Sequence, residues 1–339
     1  MSTSTPYSVL DLAIVTEGST LADAIHFSRQ LAQHTESEGY TRFWMAEHHN
    51  MENIASSATS ILLGYVAEAT HSIRVGSGGI MLPNHSPLII AEQFGTLATL
   101  WPNRVDLGLG RAPGTDQVTA AAIRPDRMRA IQQFPESVAQ LQEYFDSPNG
   151  HRAVRAIPGE GTRVPIWILG SSTDSAWLAA KLGLPYAFAS HFAPQQLEQA
   201  AEIYTTRFQP SEQQAKPWFM PCINVIAAEE DEQAIYLSSS LKQMFAGIVT
   251  DRRRPMPPPV DNVEETLSLQ EQMAIERMLG CTFIGGPDRL ESELSQFILK
   301  IPANELMIAS YIFDPNLRLR SHSIAAEVIR SLPNSSTSS

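Results

Sequence analysis

Cysteine, charge and long apolar runs are all scarce in this chain, and each scarcity excludes a class of protein. Two cysteines among 339 residues, Cys222 and Cys281, cannot build a disulfide framework or a cysteine-held metal cluster. A reducing, cytoplasmic setting without a metal site is therefore expected. Charged side chains make up 18% of the chain, below the roughly 25% of ordinary soluble domains, but 43% of residues are apolar, enough to fill a core and to exclude global disorder. No stretch of about 18 apolar residues offers a membrane span, and residues 1–6 lack the basic and apolar regions of a secretory leader. Positive charge is scarcer than negative. With 24 Lys plus Arg against 36 Asp plus Glu the formal charge is −12, whose field repels nucleic acid and anionic membrane surfaces. The one basic cluster, Arg252-Arg253-Arg254, runs straight into a Pro-rich stretch and reads as a solvated loop.

What the chain has is alternation. Eight short apolar runs, at 8–15, 42–46, 73–76, 104–109, 165–169, 186–189, 219–227 and 305–313, read as strands. Between them lie segments of helical period at 21–38, 57–68, 89–100, 134–145, 175–182, 194–207 and 231–248. Ser19-Thr20 supply a helix start, and Gly39 and Gly183 stand where helices end on a glycine. Repeated βα units demand a parallel sheet covered by helices, and eight of them close a ring. The expected fold class is α/β, a (β/α)8 TIM barrel with an insertion at about 228–304 between strands seven and eight. Residues 1–334 are expected to form one domain, with a disordered tail at 335–339. A doubly wound open sheet is the rival, but the first turn, 16–19, holds a single glycine, and the Gly108-Leu109-Gly110 run meets Pro113 where a nucleotide-binding helix should be under way.

In a barrel the residues just past each strand carry the chemistry. After the second strand come Glu47-His48-His49. Adjacent residues on extended chain point to opposite faces, which weakens a paired metal-ligand reading. One histidine with an orienting carboxylate suits proton transfer, against the alternative of a structural histidine. The third strand ends in Gly76-Ser77-Gly78-Gly79, and so many glycines in a strand call for unusual dihedrals or a close backbone approach, such as that of a flat ligand. The fourth ends in Gly110-Arg111. The fifth ends in Gly170-Ser171-Ser172 and enters a helix with Ser175 in its first turn, an outline of an anion site, or simply of an N-cap. An arginine beside a hydroxyl-lined helix start suits a phosphate dianion. A flavin mononucleotide has this shape; a sugar phosphate would fill only the phosphate end.

The runs A-E-H-H-N at 46–50, G-S-G-G-I-M-L-P-N-H-S-P at 76–87, R-V-D-L-G-L-G-R-A at 104–112 and L-G-S-S at 169–172, with L-A-A-K-L-G-L-P-Y-A at 178–187, resemble the bacterial luciferase-like flavin monooxygenases. The likeness runs in order from residue 8 to about 320. It implies a (β/α)8 barrel with an insertion after the seventh strand. It also implies that His48 is the acid or base, that Gly78 and Gly79 are joined by a cis peptide beside the flavin ring, and that Arg111, Ser171, Ser172 and Ser175 hold the phosphate. Gly110 and Gly170 fall in the same cofactor-binding edges. Luciferase α subunits carry Glu at the position of Ser171 and Cys at that of Gly110, and the second departure argues against light emission.

The resemblance further implies that reduced FMN, delivered by a separate flavin reductase, reacts with O2 to a C4a-hydroperoxyflavin that oxygenates a small-molecule substrate. His48 would move protons with Glu47 orienting it, and Trp44, Met81 and Leu109 would exclude water. A homodimer is expected, through helices near strands two and three and the apolar segment 61–66. The rival readings are a deazaflavin (F420)-dependent oxidoreductase, whose acidic-tailed cofactor would need further rim cations such as Arg124 and Arg127, and a flavin-binding protein without catalysis. No strand-end lysine supports an aldolase.

Overall fold

A computed structural model describes residues 5–147 and 153–332. The polar tail expected at 335–339 lies outside the described residues. In chain order the elements are β1 (Tyr7–Asp11), α1 (Leu21–Ser37), β2 (Arg42–Met45), α2 (Thr59–Ala67), β3 (Arg74–Met81), α3 (Pro87–Leu100), β4 (Val105–Gly110), α4 (Gln117–Ile123), α5 (Arg127–Gln132) and α6 (Phe134–Phe145). They continue as β5 (Ile166–Gly170), α7 (Thr173–Leu182), β6 (Tyr186–Phe188), α8 (Leu197–Arg207), β7 (Phe219–Ala227), α9 (Asp231–Val249), α10 (Leu269–Met278), β8 (Thr282–Gly285), α11 (Pro287–Lys300), β9 (Leu306–Ala309) and α12 (Pro315–Ser331).

Every strand pairing is parallel. β1 to β7 follow one another, β7 pairs with β9, and β9 returns to β1, which closes a ring of eight with the helices outside. The chain is a (β/α)8 barrel with an insertion between the seventh and eighth barrel strands. One strand departs from the sequence reading. β8 stands outside the ring and pairs with the Asn224–Ala227 half of β7. Its T-F-I-G run is too short to show a period among the helices of the insertion.

Local signals place the helix ends. Thr20 and Asp23 form a reciprocal capping box at the start of α1, and Gly39 and Gly183, at φ +79° and +62°, terminate α1 and α7 in the left-handed region. On α2 the expected outward apolar face is mostly core: Leu62, Leu63 and Val66 are buried, and only Ile61 of the aliphatic residues stands out in solvent. A nine-residue helix over a barrel needs those residues for its inner contact.

The barrel interior is packed, with Trp44 set edge-on to Trp167 at 5.1 Å. Gly76 makes this possible, because a Cβ there would lie 2.6 Å from Trp44 Nε1. At the N-terminal ends of the strands a buried ionic floor closes the ring. Arg42 bridges Asp106 at 2.8 Å and Glu305 at 2.9 Å, Arg74 also grips Asp106, and Ser8 and Trp218 donate to Glu305. Two cations face two anions, so the floor is neutral and its charges are paired as burial requires. Among the described residues no helix is long and apolar enough to cross a membrane.

Candidate active site

At the other end, where β2 to β6 finish, the segment Glu47-His48-His49 leaves β2. Glu47 is 1% exposed, and its carboxylate gathers donors from three segments. His49 Nε2 lies at 2.9 Å, Asn84 Nδ2 at 3.1 Å, His85 Nε2 at 3.0 Å from both oxygens, and the Met81 N–H at 3.0 Å. Burial alone would raise its pKa, but the bonds from His49 and His85, the His85 charge and the Met81 amide outweigh burial and hold it at about 2. Glu47 makes no bond to His48, which corrects the expectation that it orients that ring. The residue next along an extended chain points away, and the carboxylate instead ties the β2 loop to the turn after β3.

His48 is oriented by a backbone carbonyl. Its Nδ1 lies 3.3 Å from Gly114 O, which also accepts the His49 N–H at 3.1 Å. A carbonyl only accepts, so Nδ1 carries the proton and Nε2 keeps a lone pair. Burial lowers the His48 pKa, leaving the ring neutral at pH 7. Gly114 has φ +67°, and a Cβ there would stand 2.6 Å from Glu47 O, so the 111–116 loop can lie on the β2 loop only through glycine. A second imidazole, His191, follows β6. It is buried, its Nδ1 has no partner, and burial followed by the nearness of His48 lowers its pKa to about 3.

The Gly78–Gly79 peptide is cis, as the resemblance implied, and the register with β4 shifts there. The glycines do not simply leave room for a ring, however. A Cβ on Gly78 would meet Leu10 at 2.6 Å, one on Gly79 would meet Gly108 O at 2.7 Å, and one on Gly110 would meet Met81 Cε at 2.5 Å. The chain's own close packing demands them. Gly170 is pressed against the Ser175 side chain in the same way.

Arg111 and the start of α7 come together on neighbouring strands. Arg111 Nη2 lies 3.7 Å from Asp174 Oδ2 in the first turn of α7. Ser172 is the N-cap residue, but its hydroxyl makes no cap bond, so the N-capping reading does not account for it. Ser171 and Ser172 are both partly accessible. Ser175 differs from the expectation: its hydroxyl is engaged by Ser172 O at 2.7 Å and Tyr186 Oη at 2.8 Å, so it braces the loop from inside. A guanidinium, two uncommitted hydroxyls and a helix start are a donor set that fits a phosphate group.

A family model described as luciferase-like monooxygenase matches residues 7–276. The chain belongs to that family. A luciferase-like monooxygenase of Escherichia coli K12 is 47% identical over 322 residues, covering 95% of this chain and 96% of the relative. An N-acetyl-S-alkylcysteine monooxygenase of Bacillus subtilis is 44% identical over 186 residues, 54% of this chain and 56% of that protein. Among solved structures, apo-MsnO8 superposes with a TM-score of 0.90 at 33% identity, covering 97% of this chain and 100% of that one. The fold is also shared, at 15% and 16% identity, with an FMN-bound type II Baeyer–Villiger monooxygenase constituent from Pseudomonas putida (TM-score 0.71) and an F420-dependent secondary alcohol dehydrogenase (TM-score 0.67).

Sequence reasoning missed His85, Asn84, Gly114 and His191. Asn84 and His85 sit inside a motif that carries the resemblance, but nothing local ties them to a carboxylate 37 and 38 positions earlier.

Proposed function

We propose that the chain is a flavin-dependent monooxygenase, working in the cytoplasm with reduced FMN from a separate flavin reductase and O2 to oxygenate a small organic substrate. The observation that carries this reading is the uncapped start of α7 with the Arg111 guanidinium held against it. Reduced FMN, when bound, supplies the electrons that let one oxygen atom enter the substrate and the other leave as water. Arg111, Ser171 and Ser172 bind its phosphate, with Gly170 keeping the turn tight. Gly78, Gly79 and Gly110 form the strand edges beside its ring. His48 accepts and returns a proton at Nε2, and the neutral ring suits that task near pH 7. Glu47 positions the loop that carries His48. Buried Trp44 and half-buried Met81 keep water from the reacting atoms, whereas Leu109, expected to share that task, packs outward with Val105 and Leu107 against the helices.

A specific observation favours FMN over a deazaflavin. Arg124 is committed to Asp126 at 2.9 Å and to His85 O at 2.9 Å, and Arg127 to Arg111 O at 3.1 Å, so the rim cations an acidic tail would call on are already engaged. A homodimer through the outer faces of α2 and α3, where Ile61 and Ile89 are exposed, completes the proposal. The test is anaerobic titration of the chain with reduced FMN and with reduced deazaflavin, then O2 uptake across a substrate panel that includes N-acetyl-S-alkylcysteines. Reduced FMN should bind and O2 consumption should depend on the organic substrate. Tighter binding of the deazaflavin, or no substrate-dependent oxygenation, overturns the reading.

A further inference from the structure

On the outside of the barrel, between α7 and the end of α8, lies a groove of about 480 Å3 lined by Trp177, Leu178, Lys181, Arg207 and Gln209. Its size is that of a small-ligand cleft, roughly 300–1,000 Å3. The joint between the two helices fixes its walls. α7 ends at Gly183 in a left-handed turn, and the chain leaving α8 lies across that turn: the Gln209 N–H donates to Ala180 O at 2.9 Å, and Ser211 Oγ to Gly183 O at 2.7 Å. A Cβ on Gly183 would strike Gln209 O, so the glycine permits the crossing.

Two cations flank one indole in this groove. Trp177 is 49% exposed, although its ring is among the largest apolar surfaces a chain can bury. The Arg207 guanidinium carbon lies over that ring, 5.6 Å from its centre. Lys181 stands four residues after Trp177 and therefore on the same face of α7, one turn along. Among the described residues neither cation is paired with a carboxylate, because those on the same two helices are engaged elsewhere or turned away. Asp174 pairs with Arg111 and Glu198 with Lys300, and Glu202, five positions before Arg207, lies well round α8 from it. Lys181 and Arg207 each occupy the last turn of a helix, where a cation answers the free carbonyls. That accounts for the charges and leaves the open indole between them unexplained.

In a chain of charge −12, two uncompensated cations converging on an aromatic surface select for a ligand that is flat at one end and doubly negative at the other. We propose that the groove is a second ligand site, for a phosphate monoester that carries a flat ring, a mononucleotide being the simplest. The ring lies along Trp177 and Leu178, and the phosphate sits between Lys181 and Arg207 with the Gln209 amide beside it. This site is distinct from the proposed cofactor pocket. α7 starts at that pocket, and Lys181 stands about 12 Å further along the helix than Thr173, so one phosphate cannot touch both.

Titration calorimetry of the full chain with AMP, adenosine and inorganic phosphate, without flavin and at low salt, tests it. AMP should bind about tenfold more tightly than adenosine, the contribution of two exposed ion pairs, and more tightly than inorganic phosphate, which lacks the ring. Lys181→Gln and Arg207→Gln should each cut the preference for AMP over adenosine about threefold, and the double variant should abolish it. Trp177→Ala should weaken AMP and adenosine alike. All three side chains are exposed, so these substitutions spare the core. Arg111→Gln separates the groove from the proposed cofactor pocket and should leave the AMP preference intact. No binding of AMP, equal binding of AMP and adenosine, inorganic phosphate as tight as AMP, a preference that survives the double variant, or one that is lost in Arg111→Gln overturns the inference. With no flavin or oxygen present, none of those results bears on the oxygenase reading.

Discussion

Glu47→Gln is the substitution whose cost follows most directly from the geometry. The carboxylate takes four donors on two oxygens: His49, Asn84, His85 and the Met81 N–H. An amide offers one oxygen and turns an NH2 toward at least two of those donors. Each buried donor left unmet costs about 1–3 kcal/mol, so the loss is about 3 kcal/mol. The ionisation leads to a similar figure. A folded pKa of about 2 against the ordinary 4.5 corresponds to about 3 kcal/mol of stabilisation at neutral pH. Because the folded value is the lower one, that stability is complete above about pH 4.5 and is lost as pH falls towards about 2. Urea unfolding of both proteins at pH 7 and pH 4 should show a gap of about 3 kcal/mol that narrows by about 1 kcal/mol at the lower pH. A gap under about 1 kcal/mol at pH 7, or one that does not narrow, would refute the account of Glu47 as an ionised hub.

Three other outcomes are expected. His48→Gln should leave FMN affinity within about twofold and slow turnover about a hundredfold, measured by single-turnover kinetics; a parallel loss of both would assign His48 to binding instead. Asp174→Asn should tighten FMN binding several-fold, because it removes the exposed carboxylate that competes with a phosphate for Arg111; calorimetry showing weaker binding would remove Arg111 from the phosphate pocket. Gly170→Ala should destabilise the fold by about 1–3 kcal/mol, since the new methyl overlaps the Ser175 side chain that braces the α7 loop; an unchanged melting temperature would contradict that packing.

The barrel was legible because its strands and helices write their periods into the sequence, and α6 was read to the residue. β8 was not, since four residues carry no period and its partner half of β7 reads as one long strand. The meeting of Arg111 with the start of α7 was legible for a geometric reason: residues past neighbouring parallel strands must be neighbours, so the two could be paired without coordinates. The Glu47 hub could not, because Met81, Asn84 and His85 reach the carboxylate from a segment more than thirty residues away whose course no local pattern fixes. The glycines were located correctly but explained too simply, because which atom stands opposite an absent Cβ is a tertiary fact.

The ionic floor has a consequence for traffic. With Arg42, Arg74, Asp106 and Glu305 locked together beneath Trp44 and Trp167, the barrel axis has one usable doorway. In the proposed reaction oxygen, substrate, product and cofactor would share a single queue. A bulky product lingering there would hold up the exchange of the proposed flavin, so turnover by such a vessel would be set by the order of departures as much as by the chemistry inside.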